Sequence, residues 1–500
     1  MLLSPCTRHR LLKPTLRGNI RLYSSPSWDQ NKPYYLTTPI FYPNSVPHIG
    51  HLYTLVITDI ISRYARLSWP ERPVSFLTGT DEHGLKIQKA AEAQNLEPRE
   101  FCDQISHRFR DLADTANTSY TRFIRTSEKD HHYAVQHVWR ALDSRGLIYK
   151  GLHKGWYSIS DECFYTDNQI ERLKSPHGAP NGTEKEIVVS KETGSVVEWT
   201  EEENYKFRLS RFHVIHPPQQ HANIVDVLSM PLEDLSVSRP RNRLHWGIPV
   251  PNDASHTVYV WFDALINYLT GAGYPWVSKE QKTHSYWPPD LQVVGKDIIR
   301  FHAIYFPAML QALDLPLPKR LLAHCHWTVS RRKMSKSIGN VVDPFEAMQD
   351  LGTDLVRYYL ARIGGRFKDD VEHLREVTNP LRHLASVVDH HLKELRISEA
   401  LEAIIHQLKA ANIMVSKTEP WAKNTPEAVT GEVYALSLET LRICGILLQP
   451  FIPAKAGMLL DVMGISRSER ALQHAQYLRS SVGNVTPGVK LFSRVSKKVI

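Results

Sequence analysis

The strongest constraint on the fold is a hydrophobic period that switches back and forth along the chain from Tyr34 onward. Tyr34 to Thr38 is a short aromatic and aliphatic run that reads as a strand. Pro39, Pro43 and Pro47 then break regular structure. From about Gly50, Leu52, Val56, Ile60 and Tyr64 recur every four residues, which predicts a helix with one apolar stripe. Val74 to Leu77 predicts a second strand and Leu85 to Gln94 a second helix. Strand, helix, strand and helix in succession imply a parallel sheet, because a parallel neighbour is reached only by a crossover and a helix on the sheet face supplies it.

This alternation is interrupted. From about Thr121 to Val250 the chain is rich in turns and short strand-like runs. Ile187 to Val189 and Val196 to Trp199 flank Glu192-Thr193-Gly194, which predicts a hairpin. The stretch reads as an insertion into the first domain. The α/β pattern resumes at Val258-Tyr259-Val260-Trp261 and again at Leu291 to Val294, where Gly295 leads into a helix running towards Leu313. After about Thr353 helical periodicity takes over. Val433, Leu436, Leu441, Ile443 and Leu447 mark a buried helix face that Pro450 and Pro453 end or kink. A chain of 500 residues exceeds one compact core, so two to four domains are expected.

The formal net charge of +9 raises the expectation of a polyanionic partner. Cys6, Cys102, Cys163, Cys325 and Cys444 are scattered, odd in number and without CxxC spacing, which argues against a disulfide framework and a cysteine-rich zinc knuckle. No apolar run is long enough to cross a bilayer, so no membrane partner is expected. Before Asp29 there is no acidic residue, while Arg8, Arg10, Lys13, Arg17 and Arg21 carry positive charge and Ser24, Ser25 and Ser27 follow. That is the composition of a mitochondrial transit peptide over residues 1–28, and the absence of an apolar segment excludes a secretory signal.

Two short motifs carry chemistry. Pro47-His48-Ile49-Gly50-His51 stands where the first strand hands over to the first helix. A helix start offers unpaired N–H groups and the positive end of a dipole, and Gly50 leaves room for a nucleotide to approach. His48 and His51 add donors for charge that develops on phosphorus. With 25 histidines in the chain, such a string can also arise by chance. Lys333-Met334-Ser335-Lys336-Ser337 lies far downstream, before Ile338-Gly339-Asn340. Paired lysines on a small-residue loop can grip a triphosphate and neutralise departing pyrophosphate, since phosphoryl and nucleotidyl transfers depend on positioning and charge. The competing reading is a solvated basic loop continuing from Arg331 and Arg332.

Together, in this order, HIGH and KMSKS resemble the signature of the class I aminoacyl-tRNA synthetases. Within that class the chain resembles the methionyl-tRNA synthetases. The resemblance rests on Thr37-Thr38-Pro39-Ile40-Phe41-Tyr42, Thr78-Gly79-Thr80-Asp81-Glu82-His83-Gly84, Val260-Trp261-Phe262-Asp263-Ala264, and Val294-Gly295-Lys296-Asp297-Ile298-Ile299-Arg300-Phe301-His302. It runs from about Tyr34 to Asp370 and resumes near Ala400.

The resemblance implies roles. Asp81 matches the acid that holds the methionine ammonium. Ile40, Tyr42, Trp261, Ala264, Leu265, Tyr268, Ile298 and His302 match the pocket around the thioether, although Leu265 stands where relatives often have proline. His48, Gly50, His51, Gly295, Asp297, Lys333 and Lys336 match ATP-binding positions, with His48, His51, Lys333 and Lys336 as the catalytic set. Pro420 and Trp421, in Thr418-Glu419-Pro420-Trp421-Ala422-Lys423, match a segment that meets the anticodon, where tryptophan can stack an unpaired base. A tryptophan packed between helices is the alternative reading. Between Val371 and Leu401 the family usually has a longer helical stretch, of which Leu381-Arg382-His383-Leu384-Ala385 reads as what is left. Either the anticodon domain is truncated or a coding segment is missing.

The implied architecture is α/β. A Rossmann-type parallel-sheet catalytic domain (29–120 and 251–327) is split by an inserted α/β connective domain (121–250). A stem-contact segment with the lysine loop (328–371) and a shortened α-helical anticodon domain (372–500) follow. The implied reaction joins methionine to ATP and passes it to tRNA(Met) in the mitochondrial matrix. Magnesium enters as ATP's companion, structural zinc is not expected, and the Leu491-Phe492-Ser493-Arg494 ending matches relatives that are monomers. A synthetase for leucine, isoleucine or valine is a rival, but it would carry a large editing insertion. A non-catalytic RNA-binding descendant is another, against which both intact signatures speak.

Overall fold

The computed structural model describes residues 32–159, 162–174, 186–191, 194–212, 233–278, 281, 285–324, 328–329, 332–333, 342–363, 377–422, 425–477 and 491. The transit-peptide stretch and Lys336 lie outside the described residues.

The chain opens with β1 (Tyr34–Thr37), buried on both faces. Tyr34 and Leu36 enter one hydrophobic core and Tyr35 the other, as the two-residue period of a strand requires. Helix α1 (Ile49–Ser68) follows. Its predicted stripe is buried, and so are Leu55, Ile57 and Ile61 on other sides, because the helix is wedged between the sheet and the carboxyl-terminal helices. Next come β2 (Val74–Thr80), α2 (Leu85–Glu92), α3 (Pro98–Thr115), β3 (Arg122–Arg125) and α4 (Lys129–Ser144).

Antiparallel strands then take over. β4 (Ile148–Ser158), β5 (Cys163–Tyr165), the pair β6 (Ile170–Lys174) and β7 (Glu186–Ser190), β8 (Glu198–Phe207), β9 (Leu235–Ser236), β10 (Ser238–Pro240), β11 (Pro249–Val250) and β12 (Asp253–Val258) follow in order. They form three sheets, ordered β5-β4-β8-β9, β10-β12-β11 and β6-β7. The expected hairpin is present: Gly194, at φ 73°, turns the chain so that Val189 bridges Val196.

The chain then returns to the first sheet through α5 (Val260–Gly271), β13 (Leu291–Gly295), α6 (Phe306–Ala312) and β14 (Leu321–His324). The completed sheet has the order β14-β13-β1-β2-β3, and every neighbouring pair is parallel. α1 and α3 cover one face, while α4, α5 and α6 cover the other. A short hairpin, β15 (Thr328–Val329) and β16 (Arg332–Lys333), precedes the helices α7 (Pro344–Leu351), α8 (Thr353–Ile363), α9 (Thr378–Lys393), α10 (Ile397–Thr418), α11 (Glu427–Leu448) and α12 (Pro453–Val462).

The helical region shares its core with the sheet face under α1. Fully buried Arg357 of α8 joins them. It donates to Asp59 of α1 at 2.7 Å, to Ala116 O at 3.1 Å and to Pro450 O at 3.0 Å. Burial alone would raise the Asp59 carboxyl, but the charges of Arg357 and Arg63 and hydrogen bonds from Ser119 hold it below its usual range. Removing one partner of such a pair leaves a buried charge uncompensated, which costs roughly 3–5 kcal/mol.

Three details differ from the sequence reading. The parallel sheet extends past residue 120, because β3 pairs with β2 inside the stretch read as insertion. Four residues bounded by arginines are too few for alternation to show. Where the α/β pattern resumes, Val260-Trp261 begins a helix, and the parallel sheet resumes only at Leu291. Helix also begins earlier than Thr353, at Pro344, where Asp343 caps α7 by accepting from Phe345 N–H and Glu346 N–H.

Candidate active site

In an open parallel sheet, ligands sit beyond the carboxyl ends of the strands where the winding direction reverses. Here the chain leaves β1 towards β2 on one side, while β13 and β14 add on the other, so that point lies between β1 and β13. A cavity of about 390 Å³ opens there. It is lined by all fourteen residues expected from the first strand to the π-helical turn: Ile40, Tyr42, His48, Gly50, His51, Asp81, Trp261, Ala264, Leu265, Tyr268, Gly295, Asp297, Ile298 and His302.

His48 and His51 do more than line the wall. His48 Nδ1 accepts the Gly50 N–H at 3.1 Å, and His51 Nδ1 accepts the His48 N–H at 3.1 Å. This is a reciprocal capping box at the start of α1, built from two imidazoles. Because both Nδ1 atoms accept, each neutral ring carries its proton on Nε2. The rings stack at 3.8 Å, and Phe41 and Phe109 crowd His51. Burial, followed by the His48 ring, pushes His51 well below the usual histidine range. The pair therefore offers two neutral N–H donors beside the dipole end of a twenty-residue helix.

Asp81 follows the end of β2 and is only 5% exposed. Its Oδ1 has no hydrogen-bond partner among the described residues. Burial pushes its carboxyl well above the usual range, and the nearby charges of Asp263 and Glu162 push it further. Asp263 is itself held ionised: burial opposes its charge, but His83 Nδ1 and His131 Nε2 each lie 2.6 Å from its oxygens and lower it. A buried oxygen without a donor, in a field made more negative by its neighbours, is a receptor for a cation.

Opposite lies the apolar wall. Trp261, Ala264, Leu265 and Tyr268 occupy positions i, i+3, i+4 and i+7 of α5, which puts them on one helix face. Trp261 stacks on Phe301 at 3.8 Å and 14°. His302 sits on a π-helical turn, Phe301–Tyr305. Its Nδ1 lies 3.0 Å from Ile298 O, so that nitrogen carries the proton, and the Tyr268 hydroxyl donates to Nε2 at 2.7 Å. Burial lowers His302 to about 4, so the ring is neutral. At the end of β13, a Cβ on Gly295 would come within 2.6 Å of Asp297 Oδ1; glycine lets that carboxylate fold back over the backbone.

The family described as tRNA synthetases class I (M) matches residues 34–384. The probable mitochondrial methionine–tRNA ligase of Neurospora crassa is 42% identical, covering 91% of this chain and 83% of that one. The mitochondrial methionine–tRNA ligase of Homo sapiens is 39% identical, covering 91% and 87%. A solved structure of Mycobacterium tuberculosis methionyl-tRNA synthetase in complex with methionyl-adenylate aligns with a TM-score of 0.82 at 35% identity, covering 93% of this chain and 100% of that one. The chain belongs to the class I methionyl-tRNA synthetases.

The synthetase is therefore an ATP-dependent methionine–tRNA ligase, and its relatives place it in the mitochondrion. No helix among its described residues is long and apolar enough to cross a membrane. Of the lysine pair, Lys333 is described only as backbone in β16, and Lys336 lies outside the described residues. Pro420 and Trp421 are not in the cavity; they lie between α10 and α11, where Pro420 is buried and Trp421 is 66% exposed. That exposure removes the reading of Trp421 as a core residue.

The synthetase's cavity also holds residues that sequence reasoning missed. His324 ends β14 with Nε2 3.0 Å from the Thr54 hydroxyl, and Glu162 and Arg300 line the wall. A histidine at the carboxyl end of a parallel strand was a usable signal for the first. Nothing local marks Glu162.

Proposed function

We propose that the cavity binds methionine with its ammonium on Asp81 and its thioether among Ile40, Tyr42, Trp261, Ala264, Leu265, Tyr268, Ile298 and His302. ATP lies along His48, Gly50, His51, Gly295 and Asp297, accompanied by magnesium. The observation that carries this reading is the buried, unpartnered Asp81 Oδ1 in a pocket whose other walls are aromatic and aliphatic. An amino acid with an apolar, polarizable side chain satisfies both halves. The neutral tautomer of His302 adds selectivity, because its buried Tyr268–His302 pair offers no charge to a polar competitor.

In the first step a methionine carboxylate oxygen bonds to the α-phosphorus of ATP, and the bond to pyrophosphate breaks. The Nε2–H groups of His48 and His51 meet charge on the phosphoryl oxygens, while Lys333 and Lys336 neutralise pyrophosphate. In the second step the terminal adenosine hydroxyl of tRNA(Met) attacks the activated carbonyl and AMP leaves. No protein nucleophile is used. We place the catalytic halves at 29–120 and 251–327, adjusted for β3, around the insertion at 121–250, with the lysine loop in 328–371 and the anticodon domain in 372–500. The enzyme acts as a monomer in the matrix after loss of residues 1–28. The scattered cysteines support the absence of structural zinc.

Pro420 and Trp421 meet the anticodon. A stacked base contributes roughly 1–3 kcal/mol, about one to two powers of ten in affinity. Trp421→Ala is expected to weaken methionylation of tRNA by that factor while leaving methionine-dependent ATP–pyrophosphate exchange unchanged. Equal loss in both assays, or no loss in either, would remove Trp421 from the anticodon site.

A further inference from the structure

We propose that Glu162, contributed by the insertion, is a positioning residue for methionine: it fixes the Tyr42 wall of the pocket and the loop that carries Asp81 at a single point. The proposal rests on the placement of methionine given above.

Helix α2 begins four residues after Asp81, and its N-cap is Gly84, which has no side chain to receive the first N–H groups. Glu162 supplies that cap from a distant part of the chain. Its Oε1 accepts the Lys86 N–H at 2.9 Å, and the Leu85 N–H also donates to the carboxylate. Its Oε2 accepts the Tyr42 hydroxyl. Gly84 makes this junction possible. Its φ of 110° disfavours any side chain, and a Cβ there would lie 2.5 Å from the Tyr42 hydroxyl oxygen and 2.6 Å from Glu162 Oε1. Glu162 holds a left-handed φ of 52° and is 4% exposed. Strain in a non-glycine residue and burial of a carboxylate both cost stability.

Electrostatics points the same way. Burial raises both the Asp81 and the Glu162 carboxyls, and Glu162 raises Asp81 further, so holding both acids ionised is costly in the empty site. A bound ammonium offsets that cost. An arrangement that costs stability when empty and gains it with a cation present fits a substrate site better than a structural tie. Glu162 acts through Tyr42, the Asp81 loop and the local field, and is not itself a catalytic residue.

The experiment compares Glu162→Ala, Glu162→Gln and Asp81→Asn with wild type in methionine-dependent pyrophosphate exchange, using the full chain. Losing charged hydrogen bonds of this kind predicts a methionine KM raised about ten- to a hundredfold in Glu162→Ala. The ATP KM should be unchanged, and kcat should fall by less than about threefold, because the interaction acts before the transition state. Glu162→Gln keeps an accepting oxygen and should recover part of the loss. If Glu162→Ala does not fold, a methionine-only KM rise in Glu162→Gln carries the same meaning. A reduced unfolding midpoint with unchanged methionine KM, or an equal rise for methionine and ATP, overturns the proposal. Asp81→Asn separates the failures. If it raises methionine KM while the Glu162 variants do not, the positioning role alone is wrong. If it leaves methionine KM unchanged, the pocket placement falls and this inference falls with it.

Discussion

Asp81→Asn is expected to raise the methionine KM in pyrophosphate exchange by about a hundredfold or more. An ammonium opposite a buried carboxylate is a charge-assisted pair, and removing one partner costs roughly 3–5 kcal/mol, or about two to four powers of ten. Asparagine keeps the shape and loses the charge, so the packing of Tyr42 and Trp261 should survive. The pH dependence has a definite sign. Burial, Asp263 and Glu162 raise the Asp81 carboxyl in the empty site, and only its ionised form can hold the ammonium. As pH falls through that raised value, methionine affinity is lost. The acid limb of kcat/KM for methionine should therefore lie well above the ordinary aspartate value of about 4, and Asp81→Asn should abolish it. Stability moves the other way. A carboxyl whose folded value is raised stabilises the fold below its unfolded value, and this contribution is lost as pH rises through the folded value. At neutral pH the charge is a cost, so Asp81→Asn should raise the unfolding midpoint of the empty enzyme. A lowered midpoint with unchanged methionine KM would show that Asp81 is a structural residue.

His51→Gln is expected to lower kcat for exchange by two to three powers of ten with little change in stability. Glutamine is favoured at the third helical position because its oxygen can accept the N–H of the cap residue. It can replace the His51 Nδ1 contact to His48, now 3.1 Å, and keep the start of α1 intact. It cannot place a donor where the imidazole Nε2–H points. Loss of one preorganised donor to a developing negative charge costs roughly 2.7–4 kcal/mol of transition-state stabilisation. The unfolding midpoint in urea should stay near that of wild type. If kcat falls only in proportion to a lost midpoint, His51 serves the helix alone.

The parallel sheet was legible because its first half follows the grammar of alternating periods: β1, α1, β2 and α2 each carry a pattern long enough to read. β3 was not, since four residues between arginines show no period. Helix α5 was not marked as a helix, for a different reason. Val260-Trp261-Phe262-Asp263-Ala264-Leu265-Ile266 is apolar nearly all round because the helix is buried on most sides, and such a run cannot be told from a strand by periodicity. The pocket residues on that helix were found only through the family motif, which does not depend on secondary structure.

The capping role of His48 and His51 was present in the spacing but obscured by residue type, because capping boxes are usually sought among serine, threonine, glutamate and glutamine. Glu162 and Arg357 were beyond reach. Glu162 meets Tyr42 across 120 residues and Lys86 across 76. Arg357 meets Asp59 across 298. Partners so remote in sequence are set by the packing of whole domains.

The most direct test of the account is amino-acid-dependent exchange of pyrophosphate into ATP, measured on the purified chain with methionine, leucine and valine in parallel. The cavity predicts exchange driven by methionine, since an unpartnered buried acid faces walls of Trp261, Tyr268 and His302. The KMSKS motif, by its resemblance to the family signature, predicts that exchange is lost in Lys336→Ala while the fold persists. Exchange driven by leucine or valine but not methionine would contradict the assignment of this pocket.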